Sequence, residues 1–302
     1  MEFFGLLNIC KLPGLSSHEV VARIRRLLGM KRVGHTGTLD PSAAGVLPIC
    51  LGTATRLAEY IAAGPKTYRA EFLLGVTTLS YDSEAEISEQ RDAGHLTEAE
   101  VTAVLPTLTG SILQRPPDYS AVFVEGVRAY DLVRRGKAVD LPAREVTVYA
   151  FTPVRFVPGT TPRLLADITV SKGTYIRALA RDLGELLGVG ALLSFLVRTQ
   201  VGDCLLENSY TLDEIASAVE EERLEDCLRA PDSAINYIPA LSIPTTAVRY
   251  RYGAMLDVTE MPGLYRIYQG RLFMGLGRVE EGRLRPAVNL LEVPGHGETV
   301  EI

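Results

Sequence analysis

The run Lys66-Thr67-Tyr68-Arg69-Ala70-Glu71-Phe72-Leu73-Leu74 puts Tyr68, Ala70, Phe72 and Leu74 on one side of an extended chain. Alternation of period two marks a strand with one face buried and the other wet. Strand-like runs recur at Phe3–Ile9, Val146–Val157 and Leu164–Val170. Helical periodicity interrupts them. Ser16-Ser17-His18-Glu19 has capping-box spacing, Val20, Val21, Ile24, Leu27 and Leu28 share one helical face, and Gly29 suits the position just past the helix. Thr174–Leu187 reads as a further helix. Strands and helices mix without a regular βαβ repeat, so the expected class is α+β.

Residues 77–100 are polar and acidic and read as a surface excursion, whereas Thr211–Val219 and Glu221–Leu228 read as acidic helices ahead of Pro231 and Pro239. From about residue 240, short β-rich pieces carry Gly253, Gly263, Gly270, Gly275 and Gly277. The expected organisation is a large domain over 1–238 and a small β-rich one over 239–302, as the length permits.

No apolar run approaches the roughly 20 residues that span a bilayer. Met1-Glu2-Phe3-Phe4-Gly5 lacks the basic start and apolar core of a signal peptide, so a cytoplasmic chain without membrane contact is expected. Cys10, Cys50, Cys204 and Cys227 lie far apart, with no C-x-x-C pair and no histidine at ligand spacing; neither a disulfide framework nor a metal is expected. The net charge of −6 disfavours nucleic acid only as an average. Glu207–Asp232 alone holds nine acids and two arginines, while residues 1–72 hold nine Lys and Arg against five acids. RNA needs a local basic face. Arg23, Arg25, Arg26, Lys31 and Arg32 could form one, or simply the solvated side of a helix.

Gly34-His35-Thr36-Gly37-Thr38-Leu39-Asp40-Pro41 is the stretch most suggestive of chemistry. Its glycines permit tight backbone, and the proline keeps Asp40 out of helical geometry. On spacing alone two readings stand: a carboxylate presented on a rigid loop, or an aspartate that only caps the next turn. No Gly-Lys-Ser/Thr follows, so this is not a phosphate-cradling P-loop.

The longer stretch from Gly34 to Tyr60, GHTGTLDPSAAGVLPICLGTATRLAEY, closely resembles the catalytic segment of the TruB-type tRNA pseudouridine-55 synthases. Further stations follow in family order: Lys66-Thr67-Tyr68, Arg115-Pro116-Pro117-Asp118-Tyr119-Ser120-Ala121, Ser171-Lys172-Gly173-Thr174-Tyr175-Ile176-Arg177 and Leu196-Val197-Arg198-Thr199. The C-terminal region resembles that family's PUA-type RNA-binding domain, most clearly at Phe273-Met274-Gly275-Leu276-Gly277. The resemblance covers nearly the whole chain. It implies a pseudouridine-synthase catalytic domain with a mixed, mostly antiparallel sheet, followed by a PUA-like domain.

Residue by residue, the resemblance implies that Asp40 is the catalytic aspartate, Tyr68 the aromatic that contacts the flipped uracil, and Arg177 the arginine paired with the aspartate. His35 matches the residue that enters the space left by flipped bases; Tyr175 and Leu196 match pocket-lining positions, and Lys11 and Lys172 positions near the RNA or the site. It further implies tRNA, held by its T-stem-loop, as the partner of a monomer with no cofactor. The chemistry agrees with these roles. A uridine stacked in a loop hides its glycosidic bond, so it must be extruded and its place filled. A tyrosine face offers the extruded base a stacking surface worth roughly 1–3 kcal/mol. The reaction breaks N1–C1′, turns the uracil and joins C5 to C1′, exchanging no electrons with a second compound. Asp40 either attacks C1′ or removes the C2′ proton to give a glycal, and both routes stay open. Rival readings are a synthase for another stem-loop RNA and a non-catalytic RNA-binding or RNA-folding protein.

Three segments depart from the family pattern. Cys10-Lys11-Leu12-Pro13-Gly14 shifts the usual proline by one, Thr78-Leu79-Ser80-Tyr81-Asp82-Ser83-Glu84-Ala85 lacks an acid and a glycine, and Phe123 stands where a lysine is usual. Arg128, Arg134, Arg135 and Lys137 follow, either as a basic loop for phosphates or as a solvated helix.

Overall fold

The computed structural model describes residues 3–120, 122–124 and 126–290. The chain opens with β1 (Gly5–Lys11) and α1 (Ser17–Leu28), then passes through β2 (Val33–His35) into β3 (Ala44–Leu51) and the short α2 (Ala58–Ala63). The alternating segment is β4 (Lys66–Leu74), followed by β5 (Val76–Thr78), β6 (Ile87–Gln90), α3 (Glu98–Val104) and β7 (Gly110–Gln114). An arm of β8 (Phe123–Val124), β9 (Val127–Arg128) and α4 (Ala129–Arg134) precedes β10 (Arg144–Val157) and β11 (Arg163–Val170). Then come α5 (Ile176–Leu186), β12 (Ala191–Val201), β13 (Cys204–Leu205), α6 (Leu212–Glu220) and β14 (Leu228–Arg229). The last strands are β15 (Ala240–Ile243), β16 (Leu256–Asp257), β17 (Gly263–Gln269), β18 (Leu272–Glu280) and β19 (Arg283–Asn289).

Helix α1 starts and stops where its sequence asks. Glu19 N donates to Ser16 Oγ at 3.2 Å and Ser16 N donates to Glu19 Oε2 at 2.7 Å, completing the capping box. Gly29 takes φ 65° and ends the helix, with Val20, Val21 and Ile24 turned inward. Thr211 and Glu214 repeat the capping box on α6. The second acidic helix is absent: Glu222 adopts φ 55°, which stops α6, and only a 3-10 turn over Leu224–Cys227 follows.

A ten-stranded sheet runs in the order β14-β1-β3-β12-β4-β11-β10-β7, with β2 added to β3 and β13 to β12. Its strand pairings among the described residues are antiparallel except β12 on β3, where Val197 faces Ala44 and Arg198 faces Gly45. The backbones meet closely there. A Cβ on Gly45 would lie 2.2 Å from the Arg198 carbonyl oxygen, and its φ of +105° is one that L residues rarely adopt. The fold is therefore α+β with a mixed, mostly antiparallel sheet, as the sequence implied.

Strands β1 and β3 are buried on both faces. Leu7, Ile9, Leu47 and Ile49 share one apolar core with Phe72 of β4, Val20 and Ile24 of α1, Leu179 and Leu183 of α5, and Ile215 of α6. The alternate residues Leu6, Val46 and Cys50 belong to a second core with Leu57, Ile61, Ile235, Ile238, Leu276 and Leu290. That second core joins the two halves of the chain, because Leu276 lies in β18 of a five-stranded sheet ordered β15-β17-β18-β19-β16. Polar contacts back it up. Tyr237 Oη donates to Tyr60 O at 2.6 Å, an Arg56 guanidinium nitrogen donates to Asn289 O at 2.6 Å, and the Tyr268 hydroxyl donates to the Asp232 carboxylate.

Candidate active site

The loop between β2 and β3 carries Asp40, and its carbonyls are tied down one after another. Arg198 Nη2 donates to Gly37 O at 3.1 Å and its Nη1 reaches Thr38 O at 3.5 Å. Ser17 Oγ donates to Leu39 O at 3.2 Å and accepts from Leu39 N at 2.9 Å. Ala43 N donates to Asp40 O at 3.1 Å. Pro41 O accepts from Gly14 N at 2.9 Å and from Lys11 Nζ at 3.1 Å. Arg198, Lys11 and Ser17 are all buried, so the loop rests on a floor of enclosed donors. A segment with that many satisfied acceptors is rigid before any ligand arrives. Of the two readings left by the spacing, the presented carboxylate is the one the loop adopts.

Asp40 projects with its side chain 44% exposed, and Arg177 Nη2 lies 3.1 Å from its Oδ2. Helix α5 supplies that arginine from its first turn. Arg177 is only 10% exposed, and its other nitrogen, Nη1, lies 3.3 Å from Oδ2 of Asp82, which is equally enclosed. Nη1 also donates to Ser80 O at 3.3 Å. Asp82 is itself fixed: its Oδ1 accepts from Ser80 Oγ at 2.6 Å and from Glu84 N at 3.1 Å. One guanidinium thus bridges a buried, immobile carboxylate and an accessible one. The buried partner sets the direction in which the arginine presents its fork.

Tyr68 lies on β4, buried, opposite Arg198 of β12 and Ile168 of β11. Its apolar cluster includes Leu39 and Ile176, the neighbours in sequence of Asp40 and Arg177, and Leu196 packs against the same cluster. His35 closes β2 and meets His18 edge to face, with ring centroids 5.2 Å apart. Burial lowers the His35 pKa first, and the nearby His18 and Arg198 lower it further. Among the described residues its Nδ1 has no hydrogen-bond partner. Tyr175 caps α5 and is held by Gln114, whose Oε1 accepts from Tyr175 N at 2.8 Å and whose Nε2 donates to Tyr175 O at 3.2 Å. Lys172 is exposed on the turn before α5.

Lys11 lies beneath the Asp40 loop. Its ammonium donates to Leu12 O at 3.2 Å, Leu15 O at 2.8 Å and Pro41 O at 3.1 Å, and the residue is buried. All three protons are engaged by carbonyls, so Lys11 braces the Asp40 loop. Residues 77–100 are not wholly a surface excursion, since Thr78, Ser80 and Asp82 are buried. Asp82, Arg198, Gln114 and Ser17 carry roles that the sequence reading did not assign. The signal for Asp82 was present in the segment that departs from the family pattern, where it is the acid that remains beside Ser80.

Two family models match the chain: TruB family pseudouridylate synthase (N terminal domain) over residues 25–176, and tRNA pseudouridylate synthase B C-terminal domain over residues 177–236. The chain belongs to the TruB family. It is 46% identical over 247 residues to tRNA pseudouridine synthase B of Moorella thermoacetica, covering 82% of this chain and 81% of that protein. Identity to tRNA pseudouridine synthase B of Acaryochloris marina is 41% over 288 residues, covering 95% of this chain and 98% of the relative. In three dimensions this TruB-family chain resembles a chain from the crystal structure of a Cbf5-Nop10-Gar1 complex, with a TM-score of 0.72 and 28% identity over 91% of this chain and 78% of the other. The C-terminal five-stranded sheet fits the PUA-like fold that the resemblance implied. The chain is thus a pseudouridine synthase of TruB type.

Proposed function

We propose that the chain converts the T-loop uridine of tRNA, position 55, to pseudouridine, with Asp40 as the essential carboxylate. The carrying observation is the Asp40–Arg177–Asp82 bridge, in which one carboxylate is enclosed and the other stands open at 44% exposure. A non-catalytic RNA binder has no use for an accessible carboxylate facing an anionic ligand, so the enzyme is favoured over the folding protein. The tRNA substrate is supported by relatives named tRNA pseudouridine synthase B that match over most of the chain.

In this reading the uridine is drawn out of its loop and its uracil lies against Tyr68, while His35 fills the vacated stack. Asp40 acts at the ribose, either on C1′ as a nucleophile or on the C2′ proton as a base. Arg177 holds the carboxylate toward the sugar. Once uracil has turned, C5 bonds to C1′ and its proton passes to water, with the Tyr68 hydroxyl as the candidate relay, while N1, freed from C1′, takes up one proton from water. Apart from this exchange of a proton with water no atom or electron is taken from a second compound, so the reading includes no cofactor and no metal. The chain is proposed to act as a cytoplasmic monomer with a catalytic domain over 1–238 and an RNA-binding domain over 239–302. No helix among the described residues is long and apolar enough to cross a membrane.

The test uses unmodified tRNA transcripts carrying tritium at C5 of uridine. The wild type releases tritium, Asp40→Asn releases none above background while retaining the fold, and a transcript with cytidine in place of the T-loop uridine releases none. Full activity of Asp40→Asn would remove the mechanism. Release from the cytidine-substituted transcript would move the substrate to another position or another stem-loop RNA.

A further inference from the structure

The arm between β7 and β10 carries an alternating ladder of rings and guanidinium groups. Arg128 lies over the Phe123 ring at 5.6 Å and over the Tyr130 ring at 6.0 Å, and Arg134 lies over the other rung, Tyr130, at 5.5 Å. The order is built into local structure. Phe123 and Arg128 are direct cross-strand partners in the β8–β9 hairpin, and α4 follows at once with Tyr130 and Arg134 at helical spacing. The arm has a small core of its own in Ala129, Val139 and Leu141, yet Phe123 stays outside it at 63% exposure. An exposed phenylalanine seated under an arginine leaves a wide apolar surface in water with positive charge alongside.

The position of the arm says what that surface meets. Gln114, at its root, clamps Tyr175, two residues before Arg177. Arg115 O accepts from Arg181 Nη2 at 3.1 Å, one helical turn beyond Arg177. The root of the arm therefore abuts the helix that orients Asp40. Between β7 and β10 the arm holds five cations against Asp118, Glu125, Asp131 and Asp140, and four of the five, Arg128, Arg134, Arg135 and Lys137, are gathered from 128 to 137, where Asp131 is the one acid, so this part of the arm complements a polyanion.

We propose that the Phe123–Arg128–Tyr130–Arg134 ladder is a stacking platform for an unpaired nucleobase of the substrate RNA. The inference rests on the RNA-modifying reading above and adds to it a contact of a different kind from phosphate neutralisation. Every nucleobase has a π-face, so such a platform tolerates sequence, and the flanking guanidiniums reach the neighbouring phosphates. At position 123 the platform replaces a point charge with a ring. The physics of the two differ in one measurable way: a phosphate contact changes the salt dependence of binding, whereas a stacking contact does not.

The experiment measures equilibrium binding of the full chain to an unmodified tRNA transcript across a series of KCl concentrations. Phe123→Ala is expected to weaken binding about 5- to 150-fold, the range for loss of one base stack, with the slope of log K against log [KCl] unchanged. Phe123→Leu, which keeps apolar bulk but has no ring, is expected to behave like Phe123→Ala. Phe123→Tyr is expected to bind as the wild type does. Phe123→Lys is expected to steepen the slope by about 0.7–0.9 without regaining affinity at high salt. Wild-type affinity in Phe123→Ala or Phe123→Leu, or a shallower slope in Phe123→Ala, would overturn the platform. Tritium release by the wild type on the same transcript is scored separately. Release with unaffected Phe123→Leu binding sinks the platform alone; absence of release sinks the functional reading while the binding series still decides the stacking contact.

Discussion

Asp82 never faces the ribose in the proposed reaction, yet it settles where Arg177 points. With Asp82 replaced by Asn, Arg177 Nη1 loses its 3.3 Å ionic partner and the fork is free to turn away from Asp40. The expected outcome for Asp82→Asn is a fall in kcat on the order of 10²-fold with little change in KM, since misplacement of a catalytic group by about 1 Å carries that penalty. Steady-state tritium release measures it; a change confined to KM would refute the orienting role. Lys66 makes a prediction of another kind. Its ammonium is buried on Ala62 O and Gly64 O at 2.6 Å each, and burial pushes its pKa from 10.5 down to about 8. A lysine whose folded pKa is depressed penalises folding while it is charged. Below pH 8 the penalty is fully present, and it is relieved as pH climbs from about 8 toward 10.5, where the unfolded chain binds more protons. Unfolding free energies from urea titrations of the wild type minus those of Lys66→Met are therefore expected to rise over that window, by an amount on the order of 3 kcal/mol. A flat difference across that range would remove the claim.

At the level of elements, the parallel contact of β12 with β3 has the tightest tolerance. Gly45 sits in the one register where Arg198 both pairs with the strand and sends its side chain under the Asp40 loop. Gly45→Ala would place a Cβ 2.2 Å from the Arg198 carbonyl oxygen at φ +105°, so β12 must retreat. Destabilisation of roughly 2–4 kcal/mol is expected, together with loss of activity at temperatures where the variant is still folded. Chemical denaturation and tritium release on the same preparation check both parts. Local structure of this kind was only partly visible in the sequence. The capping boxes at Ser16 and Thr211 and the alternation of β4 were legible because their signals lie within a few residues. The clamp of Arg198 on Gly37 and Thr38 was not, because it spans about 160 residues of chain and leaves no periodicity. The same holds for Asp82: the pairing with Arg177 is made by two segments 95 residues apart, and local composition marked one of them as surface. The pairing of Arg177 with Asp40 was implied by the family resemblance; the second carboxylate on the same guanidinium, Asp82, was not. The bracing bonds of Lys11 left no local mark, because an ammonium solvated by carbonyls has the same letter as one solvated by water.

Over the whole molecule, the second apolar core binds the C-terminal sheet to the first. Leu276 and Leu290 pack with Leu57, Ile61, Ile235 and Ile238, and Leu264, Phe273 and Val288 add to them. Ending the chain at residue 238 would expose that surface to water, at about 25 cal/mol for each Å² of apolar area. The full chain is expected to unfold in a single calorimetric transition, and the shortened chain to melt lower and aggregate. Two separate transitions in the full chain would show instead that the sheets are thermodynamically independent. The rigidity extends to the Asp40 loop, whose carbonyls from Gly37 to Pro41 are all engaged before anything binds. A catalyst without slack leaves the labour of distortion to its guest. In the proposed reaction the RNA bends, unstacks and swivels its nucleotide toward a loop that does not yield, so turnover should track how pliable the RNA is, and an oligonucleotide locked in its resting shape should occupy the enzyme without being converted.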